Sequence, residues 1–364
     1  MGITKKSVKE KVILLGDHGA DDMVAQLLLS ALHKRGEIAL SGIGVSHGNC
    51  SVEQAAENAL MTLELTGLHN EIPVFVGQAN TQESDDAFGN DGRGGVALPA
   101  PAAKAQDKNI VDWLIETLEN TDEPITFFVT GPCTDINSVL QQRPDLKPKI
   151  AEQIIMGGAI SLLTPTFTRR GNITPNSEFN FWADPKAADE VLAGTGVKTT
   201  LIPLDLTQYL VFTPERQAQI RNTFKPETAE IICGLLNAAA EIDSKKFGTT
   251  GSFIHDAMTV LYFMLRSEHV ADEKLFMWNR LPIAVKITDE FEMRGACWIA
   301  WSEAQRPSVT VIQKLQGDEV QRERATEIIF QTMVNTLKQA LPDQVIAPEE
   351  NAAPAPAVLV ARQP

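Results

Sequence analysis

The sequence predicts an α/β fold, an open and mostly parallel sheet flanked by helices. Three observations carry this. Short apolar runs alternate with helical segments along most of the chain, and regular β–α alternation sets successive strands parallel with helices over the sheet. The runs are almost continuously hydrophobic, as strands buried on both faces are. Finally, the unusual polar clusters fall just after these runs, and in open α/β sheets ligands sit beyond the carboxyl ends of the strands.

In order, a solvated basic leader (1–11) precedes KVILLG (11–16), a short apolar strand ending in Gly16. GDHGADD (16–22) is a turn followed by acids, and MVAQLLLSALHKRG (23–36) is a helix stopped by Gly36. IALSGIGVSHGN (38–49) is a strand and loop, VEQAAENALMTLELTG (52–67) a helix, and IPVFVGQ (72–78) a third strand. Residues 79–108 are rich in Gly, Asp and Pro without periodicity and read as one long loop. IVDWLIETLEN (110–120) is helical, PITFFVTGP (124–132) a strand and turn, and IAEQIIMGGAI (150–160) a strand ending at Gly157 and Gly158. A polar irregular stretch (161–180) precedes a helix at 185–194 and a strand at 198–207. Helices are predicted over 227–242 and 255–266. No repeat or linker interrupts residues 1–343, which are predicted to form a single domain. Residues 344–364 form an Ala/Pro-rich tail expected to be disordered.

Composition narrows the function classes. A chain of 364 residues is ample for a large core. A formal net charge of −15 argues against nucleic acid as a partner, which would need a basic face, and tolerates a cation site. Four widely spaced cysteines (Cys50, Cys133, Cys233 and Cys297) read as reduced thiols rather than a disulfide framework. The basic N-terminus lacks the apolar segment of a secretory signal, and Lys6 stands where a myristoylation motif needs Ser or Thr. No apolar run approaches the ~20 residues of a bilayer span. A cytoplasmic enzyme with no membrane partner is the expectation.

Asp17, Asp21 and Asp22 follow the first strand within a few residues. Carboxylates crowded at one strand end repel one another unless a positive charge joins them. A hard divalent cation is the natural partner: Ca²⁺ takes six to eight oxygens from carboxylates, carbonyls and water, whereas Mg²⁺ keeps more of its water. The residues also suit a second role, since Asp21 or Asp22 can cap the following helix and complement its dipole. A P-loop and a dinucleotide fingerprint are excluded here, because G-K-[ST] and G-x-G-x-x-G are missing.

DHGADD (17–22) is similar to the D-P-G-x-D-D signature of nucleoside hydrolases. Further blocks follow in the family's order. SHGN (46–49) with VEQAAENAL (52–60) resembles its segment that opens with Gly-Asn and closes with Asn-Ala, and IPVFVGQ its third strand. DGRGG (91–95) resembles its Gly-rich loop, VTGPCTDI (129–136) its T-G-P-L-T-N block and IIMGGA (154–159) its M-G-G block. GNITPNSEFNFWADP (171–185) resembles G-N-x-x-x-x-x-E-F-N-x-x-x-D-P, and LDLT (204–207) and IHD (254–256) complete a resemblance spanning about residues 11–340.

The resemblance implies the nucleoside hydrolase variant of a Rossmann-like fold, and hydrolysis of the N-glycosidic bond of a ribonucleoside to free base and ribose. It implies Ca²⁺ held by Asp17, Asp22, Asp256 and the backbone carbonyl of Thr130, with Asp17 also the base that deprotonates a water on the ion. It implies that Asp21 and Asn49 hold ribose hydroxyls, that Asn172, Glu178 and Asn180 grip the sugar, and that His255 lies near the base and assists its departure. A homodimer or homotetramer is also implied. The chemistry suits this inventory: N-glycoside cleavage builds positive charge on the sugar, as O-glycoside cleavage does, and carboxylate and amide oxygens stabilise it. Chelation of the ribose diol would favour ribo- over 2′-deoxyribonucleosides.

Three positions depart from the pattern. Leu15 stands where the signature usually opens with Asp, His18 replaces its Pro, and Phe88 replaces a His of the Gly-rich loop. Phe88, Phe167, Tyr209 and Phe212 are aromatics that a base could meet or that pack internally, and Arg169 and Arg170 could touch substrate or be solvated. Leu15 leaves a competing reading, a silent Ca²⁺- or ribose-binding protein on the same fold. A phosphohydrolase using the same acids is disfavoured by the lack of a basic phosphate pocket around them.

Overall fold

A computed structural model of the chain describes residues 9–77, 88–160, 170–270 and 273–345. The tail from 346 onward, Phe167 and Arg169 lie outside the described residues. The chain opens with β1 (Glu10–Gly16), α1 (Ala20–Arg35), β2 (Ile38–Val45), α2 (Val52–Thr66) and β3 (Val74–Val76). The stretch read as one long loop then contributes β4 (Gln106–Asn109). Its sequence, QDKN, is exposed and carries no apolar signal, so periodicity passes over it. There follow α3 (Ile110–Asn120), β5 (Ile125–Val129), α4 (Thr134–Gln142), β6 (Ile150–Met156), α5 (Phe179–Ala183), α6 (Pro185–Ala193) and β7 (Thr199–Ile202).

Two further boundaries differ from expectation. The strand expected over 198–207 stops at Ile202, and after Pro203 the chain turns into the short helix α7 (Leu204–Thr207). After β8 (Val211–Phe212) and α8 (Pro214–Thr223), the helix expected over 227–242 is two: α9 (Pro226–Asn237) and α10 (Ala240–Phe247). Then come β9 (Ser252–Phe253), α11 (Ala257–Leu265), β10 (His269–Val270), β11 (Glu273–Lys274) and β12 (Phe276–Leu281). The last elements are β13 (Ile283–Val285), β14 (Cys297–Ile299), β15 (Val309–Leu315) and α12 (Glu319–Ala340).

One nine-stranded sheet spans the described chain, in the order β12-β15-β7-β6-β5-β1-β2-β3-β4. Only its edge strand β12 is antiparallel to its neighbour. Odd and even residues of β1 enter different clusters, Val12 and Leu14 on the face covered by α1, Ile13 and Leu15 on the other. Leu15 is thus accounted for as core. β2, β3 and β4 build outward on one side of β1, and β5, β6 and β7 on the other. The reversal makes the β1–β5 boundary the topological switch point, where open α/β sheets bind ligands. Leu15 pairs in register with Val129, so both strands end level. All four cysteines are buried and free, and among the described residues no helix is long and apolar enough to cross a membrane.

Candidate active site

Asp17 leaves the end of β1 and α1 starts at Ala20, which puts Asp21 and Asp22 in its first turn. Both readings of Asp22 hold. Its Oδ2 accepts from the backbone N–H of the N-cap Gly19 at 2.9 Å, and its Oδ1 accepts from the Thr130 hydroxyl at 2.6 Å, across the switch point. Asp17 accepts from Asn49 on both oxygens, from the backbone N–H at 2.8 Å and from Nδ2 at 3.1 Å. Glycine permits these approaches: a Cβ on Gly48 would collide with the Asp17 carboxylate, and one on Gly16 with Asp22.

Asp256 arrives immediately before α11. Carboxylate oxygens of Asp21, Asp22 and Asp256 lie within 4.8 Å of one another, and Asp21 Oδ1 is buried without a hydrogen-bond partner. Asp17, expected among the ligands, stands beside this trio. Burial pushes all four carboxyls upward: Asp21 to about 6, Asp22 to about 7, Asp17 and Asp256 well above the ordinary carboxylate range. Negative neighbours add to the rise in Asp17, Asp22 and Asp256. Crowded buried carboxyls with an orphaned oxygen form a hard-oxygen donor set that a divalent cation would satisfy.

The opposite wall follows β6. Glu178 caps α5, accepting from the backbone N–H groups of Asn180 (2.7 Å), Phe181 (3.1 Å) and Gly158 (2.8 Å). Burial still raises its carboxyl to about 7, against the pull of these bonds. Asn180 Nδ2 donates to the Thr130 carbonyl at 2.9 Å. Asn172 accepts from the Phe179 N–H at 2.9 Å through its side chain, and from Lys246 Nζ at 2.5 Å through its carbonyl. His255 Nδ1 lies 2.7 Å from the Thr207 hydroxyl on α7, and burial lowers the ring to about 4, leaving it neutral near pH 7.

One pocket brings together Asp21, Asn49, Thr130, Asn172, Glu178, Asn180, His255 and Asp256. Asp17 and Asp22 are buried and are not part of its lining. Phe88 is in the wall, whereas Phe212 is core and Tyr209 lies elsewhere. Arg170 reaches toward Asn176. His18 is fully buried, and burial lowers its ring to about 4. The sequence reading missed the α10 wall of Ala239, Ile242, Asp243 and Lys246. Their i, i+3, i+4, i+7 spacing is a helix-face signal that was available.

The family model described as inosine-uridine preferring nucleoside hydrolase matches residues 12–322. The pyrimidine-specific ribonucleoside hydrolase RihA of Citrobacter koseri is 33% identical over 254 residues, covering 68% of this chain and 77% of that protein. An uncharacterised protein of Schizosaccharomyces pombe is 30% identical over 317 residues, 85% of this chain and 96% of that one. Among solved structures, the purine-preferring ribonucleoside hydrolase of Gardnerella vaginalis superposes with a TM-score of 0.73 at 25% identity, covering 92% of this chain and 100% of that one. With switch point, acidic cluster and amide wall in the order the motifs announced, this chain belongs to the inosine-uridine preferring nucleoside hydrolase family.

Proposed function

We propose that the chain hydrolyses the N-glycosidic bond of ribonucleosides, with Asp17 deprotonating the attacking water and Ca²⁺ as the cation. The observation that carries this is the convergence of Asp21, Asp22 and Asp256 on one side of a pocket whose other side is Asn172, Glu178 and Asn180. The acidic cluster, Asp17 beside it and the Thr130 carbonyl are the oxygens that would hold the ion. When bound, Ca²⁺ would supply Lewis acidity to water and chelation to a vicinal diol.

The residues do the remainder. Asn49 holds the Asp17 carboxylate by two hydrogen bonds and so sets the direction from which it takes a proton. Asp21 and Asn49 are assigned the ribose hydroxyls, and Asn172, Glu178 and Asn180 the rest of the sugar. Their oxygens face the positive charge that develops as the glycosidic bond breaks. If Thr207 donates to Nδ1 of the neutral His255, Nε2 carries the proton and offers the departing base a hydrogen bond.

A reducing-sugar assay over a panel of ribonucleosides and their 2′-deoxy counterparts, with and without chelator, tests this. Ribose release that stops with chelator, and in Asp17→Ala and Asp256→Ala variants of unchanged circular dichroism, is the expected result. No release from any nucleoside would overturn the proposal, and Ca²⁺ binding without turnover would identify a silent binding protein instead.

A further inference from the structure

Asn58 does not line the pocket, is fully buried on α2, and has all its hydrogen-bonding capacity engaged. Its Nδ2 donates to the backbone carbonyls of His18 and Asp91, both at 2.9 Å. Its Oδ1 accepts from Arg93 Nη1 at 2.6 Å and from Gln54 Nε2 at 3.1 Å. Each set of partners matters. His18 has φ +37°, the only non-glycine residue with positive φ among those described, and it lies inside the turn between Asp17 and Asp22. A proline would hold φ near −65° at this position. With His18 the turn lacks that restraint and occupies a region costly for a side chain, so its shape depends on what anchors its peptide. Asn58 supplies the anchor.

The other partners belong to the Gly-rich loop. That loop is internally braced: Gly94 N–H donates to the Phe88 carbonyl (2.7 Å), Arg93 N–H and Gly95 N–H to the Asp91 carboxylate (3.0 Å each), and Arg93 Nε to the Val96 carbonyl (3.0 Å). These bonds tie it into one unit, which presents Phe88 to the pocket. Phe88 also packs beside Gly19, next to the acidic turn.

We propose that Asn58 is a positioning residue that locks two walls of the site together: the turn carrying Asp17 and Asp22, and the Gly-rich loop carrying Phe88. It acts on the cation side through the His18 carbonyl and on the substrate side through Asp91 and Arg93. The inference rests on the functional reading of this site and adds a specific division of effects between the two sides.

The test compares wild type, Asn58→Ala, Asn58→Asp and Arg93→Ala. Ca²⁺ is titrated by calorimetry without nucleoside, and kcat and KM are then measured on whichever nucleoside wild type cleaves. Both Asn58 variants should weaken Ca²⁺ binding by about tenfold or more, the usual effect of removing a residue that orients ligands, and should lower kcat. Arg93→Ala weakens only the loop's side of the lock, since Asn58 keeps its bond to the Asp91 carbonyl; it should leave the Ca²⁺ affinity unchanged and raise KM. Asn58→Asp keeps the shape and turns a donor into an acceptor, so it serves where Asn58→Ala does not fold. Lowered thermal stability with wild-type Ca²⁺ affinity in Asn58→Asp, or an unchanged KM in Arg93→Ala, would overturn the proposal. Wild type that binds no Ca²⁺ and cleaves no nucleoside would instead overturn the functional reading beneath it.

Discussion

At the scale of single residues, the site is built from side chains that serve backbone and chemistry together. Asp22 fixes the start of α1 through Gly19 while facing Thr130 across the sheet, and Glu178 caps α5 while bordering the pocket. Asp22 was legible as a cap from the sequence and Glu178 was not, and the second role of each depends on what lies opposite it in space. Close approach is equally residue-specific. Gly48 tolerates no Cβ, because Asp17 occupies that space. In Gly48→Ala the Asp17 carboxylate must shift, and a displacement of about an ångström at a reacting group lowers turnover by about a hundredfold. Steady-state assay with a circular dichroism control checks this; wild-type kcat in a folded variant would show that Asp17 need not stand where it does.

At the scale of elements, α5 is too short to persist on its own, at five residues. Its N-terminus is held by two backbone hydrogen bonds to Glu178, from Asn180 and Phe181. Glu178→Ala should therefore cost about 1 kcal/mol or more in unfolding free energy from the lost cap. It should also raise KM, because Asn180 loses the helix that directs it to the Thr130 carbonyl. Denaturant unfolding and kinetics read the two effects separately. Element type was legible wherever burial gave a period: β1, β2, β5 and β6 are apolar runs, and α2 was bounded within a residue. It was not legible for β4, whose residues pair through backbone alone. Nor was it legible for α7, where Pro203 breaks an apolar run whose residues stay buried on both sides of the break.

At the scale of the molecule, the acidic cluster couples stability to pH and cation. Burial holds Asp22 near 7 in the folded chain against 3.8 as a free side chain, and raises Asp17 and Asp256 well above that free value too. With folded values above unfolded ones, the folded state holds more protons. This contribution is fully present below about 3.8 and is lost as pH rises through about 7. A bound cation replaces those protons and relieves the repulsion. The rise in Tm produced by Ca²⁺ over chelator should therefore be larger at pH 8 than at pH 5. Scanning calorimetry at the two pH values decides it, and an equal rise at both would mean that the cluster is not the cation's site.

The sequence by itself determined what depends on neighbours along the chain. Apolar runs specify which segments are buried strands, and three aspartates after the first strand are close in space because they are close in sequence. The family motifs carried Thr130, Glu178, Asn180 and Asp256 to one site without any derivation of distance. Only the tertiary structure decided that Asp21 converges with Asp22 and Asp256. The same holds for α10 closing the pocket and for Asn58 joining two walls of it. The reason is physical. Burial and capping leave a local period in the sequence, whereas the meeting of distant side chains is set by strand order and helix packing, which leave none.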